Sequence, residues 1–367
     1  MQPVHKNQVF IAGGGPVGLV AAIELHRRGF DLRIIDPDLA VSPQSRALAI
    51  NPRTLDLLEP SGATEELLAA GHRINSALIR FEQQKLFIMN VTAIKHRFNF
   101  LLSLPQSRTE EILEAVFTRN GGKLERGLAL EDFTVSTQNI SLALSDGSEA
   151  SANMLIGADG AHSQVRKTLG FGFPGESVEQ VFGLADVELD DWPFPSDQAV
   201  ATIREDHVIA YLPMCEGFGR FVSTRADTMN ILPKEAKLRR VVWEAEFRIN
   251  YRQVESYQHG NVFLAGDAAH IHSPVGGRGM NLGIEDACWL AWLIEQKRTS
   301  EYSALRHPVG AKVLKLTAQP TNLIASNSFT AKTLRRWIVP PILGLNWVQQ
   351  KILPSMLALN TPAPPWL

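Results

Sequence analysis

The stretch "QVFIAGGGPVGLVAAIELHRRGFDLRIID", residues 8 to 36, constrains the fold more than any other part of the chain. "QVFIA" reads as a buried strand, and "LVAAIELHRRG" has the apolar spacing of a helix ending at Gly29. "DLRIID" reads as a second strand ending in Asp36. Between the first strand and the helix stands G-x-G-x-x-G, formed by Gly13, Gly15 and Gly18, with Pro16 and Val17 inside it. Each glycine has a task in such a βαβ unit. Gly13 allows the tight turn, Gly15 lets a pyrophosphate reach the backbone, and Gly18 lets the helix pack close to the sheet. The helix N-terminus offers free N–H groups to phosphates. Asp36, at the tip of the second strand, can accept hydrogen bonds from a ribose diol. NAD and FAD proteins share this fingerprint, so it leaves the choice between them open.

The 367 residues, 45% hydrophobic and 20% charged, are enough for two or three domains with a sizeable core. A net charge of −2 offers no electrostatic case for nucleic acid or for an anionic membrane. Cys215 and Cys288 form no CxxC pair, which argues against a redox dithiol or a zinc site and fits a reducing, cytoplasmic setting. No metal site is expected. "VFIAGGGPVGLVAAI" is apolar, but its Gly-Gly-Gly-Pro core makes a poor signal helix and it is too short to span a membrane. A second G-x-G-x-x-G, "GFGFPG" at 170–175, follows a helix end and carries Pro174 where a helix should open. It is read as a loop, and there is no sign of a dedicated nicotinamide domain.

Two further segments repeat one design. "MLIGADGAHSQVRKTLG" (154–170) runs an apolar strand into Asp159, with a helix expected from about Ser163. "VFLAGDAAHIHSPVGGRGMNLGIEDA" (262–287) runs a strand into Gly266-Asp267, then into glycines and a helix. Ligands of α/β sheets bind beyond the carboxyl ends of the strands. Three such ends, at Gly13, Asp159 and Asp267, suggest one long ligand crossing the sheet edge.

In this order and spacing, GxGxxG, GADGxxSxVR and GDAAHxxxPxGGxGMNxGxxDA resemble the class A flavoprotein monooxygenases, the para-hydroxybenzoate hydroxylase family. The resemblance covers most of residues 7 to 295. It implies a Rossmann-like α/β FAD-binding domain of three layers, an inserted and mainly antiparallel substrate sheet, and a C-terminal helical segment. The expected division is 1–75, 100–180 and 255–300 for FAD, 76–99 and 181–254 for substrate, and 301–367 for the helices. FAD is the implied cofactor, with NADPH or NADH as co-substrate.

Carried over by residue, the resemblance places Gly13, Gly15 and Gly18 at the pyrophosphate and Asp36 at the adenosine ribose. Asp159 falls near the pyrophosphate, and Asp267, after Gly266, at the ribityl chain. Pro274, Gly277, Gly279, Met280 and Asn281 match a loop lying against the isoalloxazine ring. The following helix N-terminus would face the ring's pyrimidine end and favour negative charge there. Arg46 matches an arginine near the flavin, Gln106 a glutamine at the ribityl region, and Leu130 a backbone contact to adenine. Arg46 and Gln106 also read as ordinary exposed polar residues. Arg278 departs from the family, standing where many members have glutamine.

The segment 181–256 matches only loosely, although "HVIAYLPM" and "GRFVST" alternate as antiparallel strands do. Tyr211, Met214, Arg220 and Pro274 are the substrate-side candidates, and each side chain reads equally as plain core or surface. The implied chemistry is reduction of FAD by NAD(P)H, addition of O₂ at flavin C4a, and hydroxylation of an aromatic or polycyclic small molecule by the hydroperoxide. His207, Tyr211 and His270 are titratable, but none is named as catalytic base. An FAD oxidoreductase without oxygen insertion and a catalytically silent flavin protein are the rival readings. The tryptophans of "WLAWLIE" (289–295) read as core. "LRRWIVPPILGLNWVQQKILPSML" reads as two amphipathic helical pieces broken by Pro340-Pro341, docked on the FAD domain. A homodimer face or a peripheral membrane contact is the minor alternative, because the basic residues are few. No integral membrane span is expected.

Overall fold

Four short apolar strands pair in parallel to form the base of the molecule. The computed structural model describes residues 6–42, 47–273, 277–325, 328, 333–334 and 339–367. Lys6–Ala12 lies between Leu32–Asp36 and Glu149–Gly157, and Glu149–Gly157 pairs in turn with Val262–Leu264. Leu124–Arg126 extends one side in parallel, and Ile140–Leu144 with Leu130–Val135 forms an antiparallel extension. Val9, Phe10, Ile11, Ile34, Leu155, Ile156, Val262 and Phe263 have no solvent exposure. That is the continuous apolar pattern of strands covered on both faces. The helix Pro16–His26 is correspondingly buried from Gly18 to Leu25, because it lies between the sheet and the helices Gln106–Arg119 and Gly279–Glu295.

A second, eight-stranded sheet stands beside the first. Its order runs His270–Ile271, Lys237–Gln253, Gly175–Asp191, Phe218–Ser223, Val208–Cys215, Gln198–Ile203, Ser76–Phe81 and Gln84–Asn90. Every pairing is antiparallel except that of Gln198–Ile203 with Ser76–Phe81. Burial alternates along Gln198–Ile203 and most of Val208–Cys215, as expected of strands with two different faces. One face packs Ala185, Val187, Leu189, Ile209, Tyr211 and Phe221 into a separate small core. The architecture is thus a Rossmann-like α/β domain with an inserted mixed sheet and C-terminal helices. Residues 170–174 form the loop expected of the second glycine-rich match.

Two helices, Val339–Leu343 and Asn346–Met356, are described within the stretch where two pieces were expected, but the break between them falls at Gly344-Leu345 rather than at Pro340-Pro341. The described helices are Tyr302–Ala325, Val339–Leu343 and Asn346–Met356. Pro340 and Pro341 fall in the first turn of a short helix rather than in a break, since a missing N–H costs nothing there. Leu353 and Leu357 pack on Phe87, Met89 and Val91, and the Gln349 amide donates to the Ile88 carbonyl at 3.1 Å. Among the described residues no helix is long and apolar enough to cross a membrane.

Candidate functional site

Register across the parallel sheet aligns the motif loops. Ala12 pairs with Ile35 and with Gly157, and Gly157 pairs with Leu264. Gly13, Asp36, Asp159 and Gly266-Asp267 therefore leave the same edge of one sheet, separated by single strand spacings.

The glycines at this edge divide by what surrounds them. Gly13 has φ +107°, and a Cβ on it would lie 2.3 Å from the Ala158 carbonyl oxygen. A Cβ on Gly18 would lie 1.9 Å from the Gly13 carbonyl oxygen, so helix and turn touch backbone to backbone. Gly15 is different, because nothing lies within 4 Å of the position its Cβ would take. It is also the N-cap of the helix opened by Pro16 and Val17, and no side chain caps that helix. The first turn thus opens without a side-chain cap beside free space at Gly15, an arrangement suited to an anionic group.

The acids surround this opening. Asp36 Oδ2 accepts from the Gly14 N–H at 2.6 Å and Oδ1 from the Asp38 N–H at 2.9 Å, which fixes the carboxylate at the strand tip. Asp159 Oδ2 caps the helix Gln164–Thr168, accepting from the Gln164 and Val165 N–H groups at 2.7 and 3.0 Å. Its Oδ1 is buried with no partner. A buried carboxylate oxygen without a donor is costly unless a ligand supplies one. Asp267 is exposed, beside Gly266, whose φ is +62°. Val17 closes the corner, since Cβ atoms on Gly266 or Gly283 would lie 2.9 and 2.6 Å from its Cγ2.

The helix Gly279–Glu295 begins at the far end of the groove. Its N-cap, Arg278, supplies no side-chain cap, so among the described residues this N-terminus too is uncapped by a side chain. Asn281 is buried and its amide makes four hydrogen bonds. Oδ1 accepts from the Asn51 N–H at 3.0 Å and the Thr54 hydroxyl at 2.7 Å, and Nδ2 donates to the Ala49 and Gly277 carbonyls at 2.7 and 2.6 Å. Met280 is half-buried, and a Cβ on Gly277 would meet Ala49 at 2.7 Å. Arg278 is buried and donates to the Ser355 carbonyl at 2.8 Å. Gln106 opens the helix Gln106–Arg119 and donates to Glu110, whose carboxyl burial pushes above its usual range. Leu130 is buried at the start of its strand. Arg46 and Pro274 lie outside the described residues.

The substrate-side candidates do not form one cluster. Arg220 is buried and makes a two-pronged pair with Asp186, Nε to Oδ1 at 2.6 Å and Nη2 to Oδ2 at 2.8 Å, with Trp243 under its guanidinium. Tyr211 pairs across the strands with Phe221, one residue from Arg220, and so points to the opposite face. There it packs 4.6 Å from Trp192 and 4.8 Å from Phe221, and burial pushes its phenol well above the usual value. Met214 is buried on the same strand as Tyr211. Of the titratable candidates, His207 Nδ1 contacts Asp206 at 2.7 Å in the turn between two strands. His270 Nε2 contacts Asp286 at 2.7 Å inside a fully buried group that includes Arg306 and Glu285.

Two residues that the sequence reading passed over tie the site's elements together. Arg166 donates to the Ala161 and Ala268 carbonyls at 2.8 and 3.0 Å and stacks on Phe173, bridging the Asp159 and Asp267 loops. Arg306 pairs with Asp286 and Glu285 at 2.6 and 2.8 Å and anchors the Tyr302–Ala325 helix to the helix Gly279–Glu295. Arg166 was visible as the arginine of the SxVR motif, whereas nothing near Arg306 marks it in the sequence. Among the described residues no cluster of three or more metal-ligating side chains occurs.

An open Gly15, an unpartnered Asp159 oxygen and two uncapped helix N-termini along one sheet edge fit a long anionic dinucleotide. The chain matches the family model described as an FAD binding domain over residues 6–243 and 223–317. It is 33% identical to 6-methylpretetramide 4-monooxygenase of Streptomyces rimosus over 354 residues, covering 88% of this chain and 63% of that protein. It is 30% identical to rifampicin monooxygenase of Streptomyces venezuelae, covering 87% of this chain and 72% of that one. The chain therefore spans 63% and 72% of the length of these two relatives. Its structure superposes on OxyS anhydrotetracycline hydroxylase from Streptomyces rimosus with a TM-score of 0.82 at 28% identity, covering 98% of this chain and 77% of that one. The chain belongs to the class A FAD-dependent monooxygenases, the para-hydroxybenzoate hydroxylase-like flavoproteins.

Proposed function

We propose that the protein is an FAD- and NAD(P)H-dependent monooxygenase that hydroxylates an aromatic or polycyclic small molecule. The observation that carries this reading is the alignment of Gly15, Asp159 and Gly266-Asp267 along one sheet edge, ending at the uncapped helix that starts at Gly279. FAD supplies the redox chemistry when bound, taking electrons from the nicotinamide and passing one oxygen atom of O₂ to the ring while the other leaves as water. In this reading the N–H groups after Gly15 and the backbone near Asp159 hold the pyrophosphate, and Asp36 orients the ribose diol. Leu130 lies against the adenine, with Gln106 and Asp267 toward the ribityl chain. The backbone from Gly277 to Asn281 lies along the ring, and the helix N-terminus stabilises negative charge at its edge.

The substrate in this reading sits under the inserted sheet, where the Arg220–Asp186 pair holds a rigid polar floor and Met214 supplies apolar surface. Tyr211 acts at one remove, because its cross-strand packing fixes the strand that carries Leu212 opposite Arg220. Pro274 completes the substrate-side candidates, and Arg46 belongs with the flavin contacts. A neutral phenol at Tyr211, buried on the far face, is unsuited to be a general base. A cytoplasmic location is part of the same reading, supported by the unpaired thiols of Cys215 and Cys288.

The test uses the purified chain. Its visible spectrum is recorded, and NADH and NADPH reduction is then followed by stopped flow with and without phenols and polyketide aromatics. A yellow protein whose reduction is accelerated by one ligand, with an oxygenated product, meets the expectation. A folded protein that stays colourless after FAD is added overturns it.

A further inference from the structure

Three polar features meet at the start of the helix Gly279–Glu295. The first is the helix end itself, where the N-cap Arg278 lends no side chain to the first turn. The second is the Arg278 guanidinium. It is 4% exposed and donates from Nη1 to the Ser355 carbonyl at 2.8 Å, while Nε is buried with no partner. Other buried arginines are better matched. Arg80, Arg220 and Arg306 each meet a carboxylate, at 3.0, 2.6 and 2.6 Å, and Arg166 meets two carbonyls and the face of Phe173. Burial lowers the pKa of Arg278, and Glu285 opposes this only through space, because its oxygens are engaged by Arg306 and Thr361.

The third feature is His272, 8% exposed. Its Nδ1 lies 3.0 Å from the Ser273 carbonyl and so carries the proton, which leaves a lone pair on Nε2. That Nε2 is buried with no partner. Cε1, bonded to Nε2, lies 3.9 Å from the place a Cβ on Gly279 would take, so this edge of the ring faces the first residue of the helix. Burial, and then the charges of His270 and Arg278, keep the imidazole neutral.

An unmatched donor and an unmatched acceptor thus share one helix end. Each is costly in a dry interior, and a single group that both accepts and donates relieves both. A hydroxyl is such a group. A carboxylate or ketone oxygen cannot donate to His272, and a methyl group satisfies neither atom. The place also suits a substrate. Ser355 belongs to the helix Asn346–Met356, and Leu353 of that helix packs on Phe87 and Met89 of the inserted sheet. Arg278 therefore stands where the helix of the glycine loop meets the helix that docks on that sheet.

We infer, resting on the monooxygenase reading for the aromatic ring, that His272 Nε2 and Arg278 Nε hold a hydroxyl group of the substrate, which is a phenol. The O–H donates to the imidazole and the oxygen accepts from the guanidinium. Both are positioning residues, since no bond to either is made or broken. They favour rings bearing a hydroxyl at this point over rings bearing hydrogen or methyl.

The test uses the FAD-loaded full chain with 4-nitrophenol, kept neutral in mildly acidic buffer, and with 4-nitrotoluene, which puts a methyl group in place of the hydroxyl. Binding is followed by the change each causes in the flavin spectrum. The parent should bind the phenol about tenfold or more tightly than the toluene, because the methyl group leaves both buried atoms unmatched. His272→Phe and Arg278→Met should each remove that preference by weakening the phenol and not the toluene. A packing defect alone would weaken both ligands alike. A parent that does not discriminate, whether it binds both ligands or neither, overturns the inference and leaves the two atoms to bound water. Variants that keep the parent's preference overturn it as well. A yellow protein that oxygenates another aromatic yet shows no such preference keeps the function reading and loses this one. A folded protein that stays colourless with FAD loses both.

Discussion

The Thr54 hydroxyl donates to Asn281 Oδ1 at 2.7 Å, joining the first turn of one helix to the first turn of another across 227 residues of chain. With the Asn51 N–H and the Ala49 and Gly277 carbonyls, this contact uses the whole hydrogen-bonding capacity of the Asn281 amide. The side chain therefore shapes the glycine loop, and any contact to a ring falls to the backbone. Asn281→Ala leaves two carbonyls, an N–H and a hydroxyl without partners in a dry interior. A loss of about 2–4 kcal/mol in urea unfolding of the apoprotein is expected, together with weaker FAD binding. An Asn281→Ala protein as stable as the parent would show that the clamp is dispensable.

Arg220 and Asp186 make the second prediction. Both are buried, and their two-pronged geometry leaves neither charge unbalanced. Removing one partner strands the other in low dielectric, a loss of about 3–5 kcal/mol for Arg220→Ala or Asp186→Ala. Replacing the pair together by Met and Leu should cost much less than the sum of the single changes. Chemical denaturation of the four proteins checks this. Additive losses would mean that the two residues act independently of each other.

Much of the cofactor edge was readable because its chemistry is local in sequence. Strand, glycine turn and helix lie within 30 residues, and the acids of the other two loops directly follow apolar strands. What joins those loops is not local. Arg166 reaches Ala268 across 102 residues and Arg306 reaches Asp286 from a different helix, and no periodicity announces either contact. The substrate sheet was legible as alternation but not as facing. Tyr211 and Arg220 are two polar residues on neighbouring strands, and only the register shows that they point to opposite faces.

Acid should destabilise the fold through His272. Its Nδ1 lies 3.0 Å from the Ser273 carbonyl, so Nδ1 carries the proton, and Nε2 is buried with no partner. Burial, with help from His270, lowers its pKa from 6.5 to about 4. Between those values the unfolded chain binds a proton that the native protein does not, so stability falls as pH falls through that window. The loss approaches about 3 kcal/mol by the lower end. Asp286 acts only further down. Burial raises its pKa, but Arg306 and His270 overcome that and hold it below 3.8. Urea unfolding at several pH values between neutrality and pH about 4 should show the slope, and His272→Phe should flatten it. An unchanged slope in His272→Phe would assign the acid sensitivity to other groups.

Gly15 and Gly18 stand three residues apart in one motif yet should fail in different ways. A methyl group on Gly18 meets the Gly13 carbonyl oxygen at 1.9 Å, a backbone atom that cannot swing aside. Gly18→Ala should therefore disturb the packing of the first helix and lower apoprotein stability by about 3 kcal/mol or more. A methyl group on Gly15 meets nothing within 4 Å, and its φ of −70° suits alanine. Gly15→Ala should leave apoprotein stability within about 0.5 kcal/mol of the parent. It should nonetheless weaken FAD binding about tenfold or more, because the methyl group occupies the space through which a pyrophosphate approaches the N–H groups. Unfolding of the apoproteins and FAD titration, run on both variants, separate the two tasks. If Gly15→Ala binds FAD as the parent does, the open space beside Gly15 is not the pyrophosphate site.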